Sequence, residues 1–149
     1  MRKLDFKIDI HAEPQIVLRA FIDESMLRNW WNVERSLIQP RNNGLYILAW
    51  KISESGFDYI TSGRINTYNP GSLLLIDKVC YMNPERPLLG PMRVRIRVKP
   101  SQGMTRLMIR QSGYGKGMDW DWYFLAVKEA WPAVLVQLKG LLEENTGST

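Results

Sequence analysis

Residues 119–144 hold the feature that most limits what this chain can fold into. Trp120, Phe124, Val127, Trp131, Val134, Leu135, Leu138, Leu141 and Leu142 recur at steps of three and four. That spacing draws one apolar stripe along a helix of period 3.6. Lys128, Glu129, Gln137, Lys139 and Glu143 fall largely on the other side, where water can solvate them. As a single helix the segment would span roughly 39 Å at 1.5 Å per residue. Pro132 lacks an amide donor and crowds the carbonyl four residues back, which predicts a kink or break near residues 128–131. A stripe this long needs an equally long partner. The rest of the chain is therefore expected to form a sheet that the helix lies across.

The remaining sequence fits that demand. Residues 4–11 alternate, with Phe6, Ile8 and Ile10 on one face and Asp5, Lys7, Asp9 and His11 on the other, as in a half-buried strand. Pro14 marks a helix start, with Ile16, Val17, Ala20 and Phe21 as its stripe. Asp23 or Ser25 is placed to cap a second short helix carrying Met26, Leu27, Trp30 and Trp31. From Val33 the pattern changes to strands and turns. Strands are predicted over 45–52, 57–67, 73–81, 92–99 and 105–111, with turns at 40–44, Asn69–Pro70–Gly71 and 100–103. The proline-rich stretch 83–91 is predicted to be a loop, and Gly113, Gly115 and Gly117 to form a mobile lid or entrance before the last helix. Hairpin-length connections favour an antiparallel sheet, and the segregation of helices from strands predicts an α+β fold.

Composition sets outer limits. A chain of 149 residues, 45% hydrophobic and 23% charged, fits one domain with a real core, expected over 1–149 with a disordered tail at 145–149. Cys80 is the only cysteine, so neither an intrachain disulfide nor a cysteine metal cluster is available. Residues 1–9 carry charges throughout and do not read as a secretion signal, and no stretch approaches a membrane span. A cytoplasmic protein without membrane insertion is the expectation. The net charge of +5 permits an anionic partner without establishing one.

Several local patterns resemble the heat-shock-protein-90 ATPase activator-like family of the START/Bet v 1-like (SRPBCC) superfamily. They are IDIHAEPQIVLRAF near the start, LRNWW at the end of the second short helix, NNGLYILAW, GRINTYNPGSLLL and AWPAVLVQLKGLLEE. Asn43 stands where the family often has the first glycine of a pair, and Ala130 where it often has a glycine before the tryptophan. The resemblance implies a helix-grip: a curved antiparallel sheet of six to seven strands wrapped around the long C-terminal helix, with two short helices after strand 1 and a cavity between sheet and helix. Its members include lipid and hormone carriers, aromatic cyclases and chaperone activators, so the fold alone does not fix function.

Parity nominates the residues that would face such a cavity. Met92, Val94, Ile96 and Val98 alternate with Arg93, Arg95, Arg97 and Lys99. The apolar set must face the helix, since burying four unpaired cations would be prohibitively costly. Leu107, Ile109 and Gln111 share that inner face by the same alternation. The family pattern would turn Tyr46, Leu48 and Trp50 inward. Leu74 and Ile76 are candidates too, with Leu73 and Leu75 an equally apolar alternative register. From the helix, Trp120, Phe124, Val127 and Trp131 would close the space. Tyr46, Gln111 and the indole N–H groups would orient a ligand by hydrogen bonds. The alternative is that all these residues simply fill a core.

Other chemistry is sparse. Arg93, Arg95, Arg97, Arg106 and Arg110 form an outward stripe that reads as a solvated exterior with scattered acidic partners. The stripe lacks the interleaved aromatics that a nucleic-acid surface wants. His11 is the only histidine, Cys80 sits in a strand, and Asp119 and Asp121 suit helix capping. No carboxylate or histidine cluster has metal spacing, and no cofactor is expected. The leading expectation is non-enzymatic binding of an apolar or aromatic small molecule. A chaperone-type protein-interaction module is the alternative, and a cyclase- or hydrolase-like enzyme the second alternative.

Overall fold

The computed structural model describes residues 2–54 and 56–146. Its elements run β1 (Lys3–Ile10), α1 (Pro14–Arg19), α2 (Glu24–Trp31), β2 (Arg35–Ile38), β3 (Leu45–Ser53), β4 (Gly56–Asn69), β5 (Leu73–Asn83), β6 (Arg86–Ser101), β7 (Met104–Ser112) and α3 (Met118–Thr146). The seven strands form one antiparallel sheet in the order β1-β7-β6-β5-β4-β3-β2. Only β1 leaves its sequence place, pairing with β7 at the far end. The α1–α2 pair supplies the connection between the two edges. This is the α+β helix-grip, with a curved sheet around a long C-terminal helix.

Local sequence explains the joints. Asp23 caps α2 by accepting from the Met26 N–H at 2.9 Å, and Asn32 ends that helix in the left-handed region at φ 57°. Gln102 and Gly103 make the two-residue β6–β7 turn with φ of 53° and 81°, the double positive that a type I′ hairpin requires. Bulges interrupt β4–β5 at Ser62/Arg64 and Ile65/Thr67, and β5–β6 on both sides of Val79. Bulges bend strands and sharpen twist, so the sheet's curvature is concentrated in β4, β5 and β6.

Two expectations are corrected. The stretch 83–91 is not a loop. It is the tip of a β5–β6 hairpin and the first part of a 16-residue strand. Here β6 pairs only with β5, because β7 first pairs at Arg93, and the register is irregular around Val79. A proline on such a one-sided extension costs no ladder bond. The final helix also continues across Pro132, so of the expected kink or break the break is absent. It continues through Thr146, while residues 147–149 of the expected tail lie outside the described residues.

The core lies between the concave face and the helices. Leu74 and Ile76 are buried while Leu73 and Leu75 are only partly so, which settles the β5 register. On β6, Met92, Val94, Ile96 and Val98 are all buried. Trp131, Leu135, Leu138 and Leu142 form the buried stripe of the C-terminal part of α3, and Lys139 fastens that part to β1 by donating to the Asp9 carbonyl at 2.6 Å. On the convex face, the arginine stripe meets acidic neighbours. Arg93 pairs with Asp77, Arg106 with Asp9 and Arg110 with Asp5, at 2.5, 2.9 and 2.6 Å. These exposed pairs neutralise three of the five arginines more than they stabilise the fold.

Candidate functional site

A cavity of about 520 Å³ opens between the sheet and α3. Its floor comes from inward positions of neighbouring strands. These are Tyr46, Leu48 and Trp50 of β3, Tyr59, Thr61 and Gly63 of β4, Ile76, Val79 and Tyr81 of β5, Val94 and Ile96 of β6, and Gln111 of β7. The ladder puts them in register, with Tyr46 opposite Gly63, Leu48 opposite Thr61, Trp50 opposite Tyr59, and Val94 opposite Gln111. The roof is Trp122, Tyr123, Ala126, Val127, Ala130, Trp131 and Val134 of α3, and Trp31 closes one end from α2. The charged lining residues, Glu34 and Lys51, both sit exposed at the rim. The interior is aromatic, apolar and uncharged.

The indoles form a connected wall. Trp31 stacks on Trp30 with centroids 5.0 Å apart and planes 21° apart, and meets Trp131 at 5.0 Å and Trp50 at 5.4 Å. Further along, Tyr81 lies 4.8 Å from Tyr123 and 6.4 Å from Trp122. Arg86, at the β5–β6 hairpin tip, caps this end. Its guanidinium sits 3.8 Å over the Trp122 ring and donates to Asp119 at 3.0 Å. The hairpin and the first turn of α3 are thus tied together.

Polar groups in the wall are mostly committed. The Tyr46 hydroxyl donates to the Phe21 carbonyl at 2.6 Å, and the Trp50 indole N–H to the Trp31 carbonyl at 3.0 Å. Neither indole nor phenol is therefore a spare donor, contrary to the expectation that they would orient a ligand. Gln111 is the buried polar centre. It accepts from the Trp131 indole N–H at 3.0 Å, and its amide donates to the Tyr123 oxygen at 3.2 Å and to Met92 Sδ at 3.6 Å. Burial pushes the Tyr123 phenol up to about 12, with the Gln111 hydrogen bond acting against it, and burial raises Tyr46 as well.

Of the residues expected at the cavity, the structure brings together Tyr46, Leu48, Trp50, Ile76, Val94, Ile96, Gln111, Val127 and Trp131. Leu74, Leu107 and Ile109 are fully buried in the adjoining core, Leu74 and Ile109 on either side of the floor residue Ile96 and Leu107 opposite Val98 in the next inward row. Trp120 and Phe124 do not line it. The helix is rotated about one residue from the expected phase, so Tyr123 faces the sheet while Phe124 and Trp120 turn toward Tyr114 at 5.0 and 6.2 Å. One residue is about 100° of helix, enough to move a side chain off the wall. Trp31, Tyr59, Thr61, Val79, Tyr81 and Tyr123 are wall residues that the sequence reading missed. The alternation of Tyr59, Thr61 and Gly63 carried a period-2 signal that could have found those on β4.

The glycine-rich approach is not a lid over the cavity. Tyr114 is buried beneath the start of α3, and the Gly115 carbonyl accepts from Arg2 at 2.8 Å. Residues with catalytic potential lie elsewhere. The backbone N–H of His11 donates to the Glu143 carboxylate at 2.9 Å, and Asp119 and Asp121 pair with Arg86 and Arg2. Among the described residues no group of three His, Cys, Asp or Glu could hold a metal ion. No described helix is long and apolar enough to cross a membrane.

Residues 11–143 match the family described as Activator of Hsp90 ATPase homolog 1-like protein. The chain belongs to that family. Among curated proteins none matches. Similar solved structures include protein CV1439 from Chromobacterium violaceum, 24% identical with a TM-score of 0.72, covering 96% of this chain and 99% of that one. Protein NE0264 from Nitrosomonas europaea is 18% identical with a TM-score of 0.75, over 97% and 96% of the two chains. The Aha1 dimer from Colwellia psychrerythraea is 14% identical with a TM-score of 0.71, over 96% and 97%. At these identities the likeness establishes the shared fold. For this family member the fold supplies a ligand-binding or interaction module.

Proposed function

We propose that this family member is a non-enzymatic binder of a hydrophobic or aromatic small molecule, held between the sheet and α3. The observation that carries the reading is the cavity of about 520 Å³ with aromatic walls and charge only at its rim. Ligand pockets typically measure about 300–1,000 Å³ and are mostly apolar with a few placed polar groups. A wall of indoles and phenols suits a flat ligand, since stacked and edge contacts each add about 0.5–1.5 kcal/mol beyond burial. Less supports a protein-partner role for the convex face, where three arginines are already matched by carboxylates.

The direct measurement is a thermal-shift screen of apolar and aromatic compounds, because a ligand of the native state raises the melting temperature. The expected result is a dose-dependent rise with flat aromatics and none with charged sugars or nucleotides. Trp50→Ala, which removes one wall indole, is expected to weaken binding of a fluorescent apolar probe about tenfold. Equal binding by wild type and Trp50→Ala would remove the cavity from consideration.

A further inference from the structure

The Gln111 cluster has a direction. An indole N–H can only donate, so the Gln111 oxygen must face Trp131 and its NH2 must face away. The opposite amide orientation would set two donors against each other. The two amide hydrogens then go to Met92 Sδ and to the Tyr123 oxygen. Tyr123 is thereby made an acceptor toward Gln111, and its own proton must point elsewhere. Among the described residues no acceptor takes that proton, although the side chain is 7% exposed and lines the cavity. The chain of bonds from Trp131 through Gln111 to Tyr123 therefore ends in a donor at the apolar cavity surface.

We propose that the cavity selects a neutral, flat apolar molecule carrying a carbonyl-type acceptor at its buried end, and that the Tyr123 hydroxyl donates to that acceptor. This rests on the small-molecule reading above and names its ligand class. An uncharged acceptor fits because no cation lies in the interior to repay the desolvation of a carboxylate. A pure hydrocarbon would fill the same space while leaving the Tyr123 proton unmatched. Because burial holds the phenol's ionisation up at about 12, the group stays a donor throughout the neutral range.

Fluorene and fluorenone are the probes, since they share shape and differ in one carbonyl. Their dissociation constants are measured by displacement of a fluorescent apolar dye from the full chain. Wild type is expected to prefer fluorenone about fivefold, the size of one net hydrogen bond. Tyr123→Phe is expected to bring the ratio near unity. Trp131→Phe is expected to lower it as well, because without the indole donor Gln111 can turn and accept the Tyr123 proton itself. A second measurement needs no variant: the carbonyl stretch of fluorenone bound to wild type should lie below its value in hexane. A ratio that is the same in wild type and Tyr123→Phe, or a stretch at the hexane position, overturns the inference while leaving the cavity reading intact. Failure of wild type to bind either probe overturns both.

Discussion

Tyr114 shows how tightly polar atoms are accounted for at the scale of single residues. Its hydroxyl is buried and finds no hydrogen-bond partner among the described residues, although Trp120, Tyr123 and Phe124 surround the ring. A buried hydroxyl without a partner costs about 1–3 kcal/mol. Tyr114→Phe keeps the ring and removes the cost, so it is expected to leave stability unchanged or raise it by about 1 kcal/mol in urea unfolding. A loss larger than 1 kcal/mol would mean that the hydroxyl has a partner. At this scale the sequence was legible where alternation decides, as at Gln111, whose inward parity followed from its strand. It was not legible in the choice between Tyr123 and Phe124. Both fit the helical stripe, and the phase was set by Tyr114 and Arg2 packing against Phe124, contacts from distant parts of the chain.

Among elements, the β5–β6 hairpin departs furthest from what its prolines suggested. Proline content signals a loop locally, yet here the one-sided pairing of β6 removes the usual penalty, and that depends on where β7 starts. The hairpin tip holds the start of α3 through Arg86, which stacks on Trp122 and pairs with Asp119. Arg86→Ala is expected to cost about 1 kcal/mol or less, because the pair is partly exposed and screened. Its sharper signature should be faster amide exchange in the first turn of α3, with exchange near Leu135–Leu138 unchanged. Uniformly altered exchange along α3 would argue against a local clasp. Gly63 is a second element-scale constraint. A Cβ there would lie 2.7 Å from Ile76 Cγ2 and 3.1 Å from the Asp77 carbonyl, at the bulge where the sheet bends. Gly63→Ala is expected to destabilise by roughly 1–3 kcal/mol, as overpacking does. A thermal melt matching wild type would show that the bulge gives way freely.

For the whole molecule, ionisation behaviour on the alkaline side follows from burying tyrosines rather than acids or lysines. Burial raises the phenols of Tyr46, Tyr114 and Tyr123 above the ordinary value of 10, with Tyr123 at about 12. The folded state therefore keeps protons that the unfolded chain releases. The stability these groups contribute is fully present below about pH 10 and is lost as pH rises through the folded-state values. Each tyrosine adds a slope of up to about 1.4 kcal/mol per pH unit in that window. Urea midpoints are expected to fall steeply from about pH 10 to 12, and Tyr123→Phe should flatten the fall. A flat profile across that range would contradict the buried-phenol account. The fold class was readable because one long apolar stripe demanded a sheet, whereas alternation exposed only part of the cavity wall and the rest depended on ladder registers, bulges and the phase of α3. The tryptophans bring one more consequence. Trp30, Trp31, Trp50 and Trp131 lie within about one ring diameter of their neighbours, at 5.0 to 5.4 Å. Chromophores that close share their excitation, so the dichroism of the cluster's intense short-wavelength indole band should be exciton-split. Three of the four indoles line the cavity, and a guest that shifts any one of them will alter the signal of all. The protein thus carries an optical gauge of its own occupancy, with no label attached.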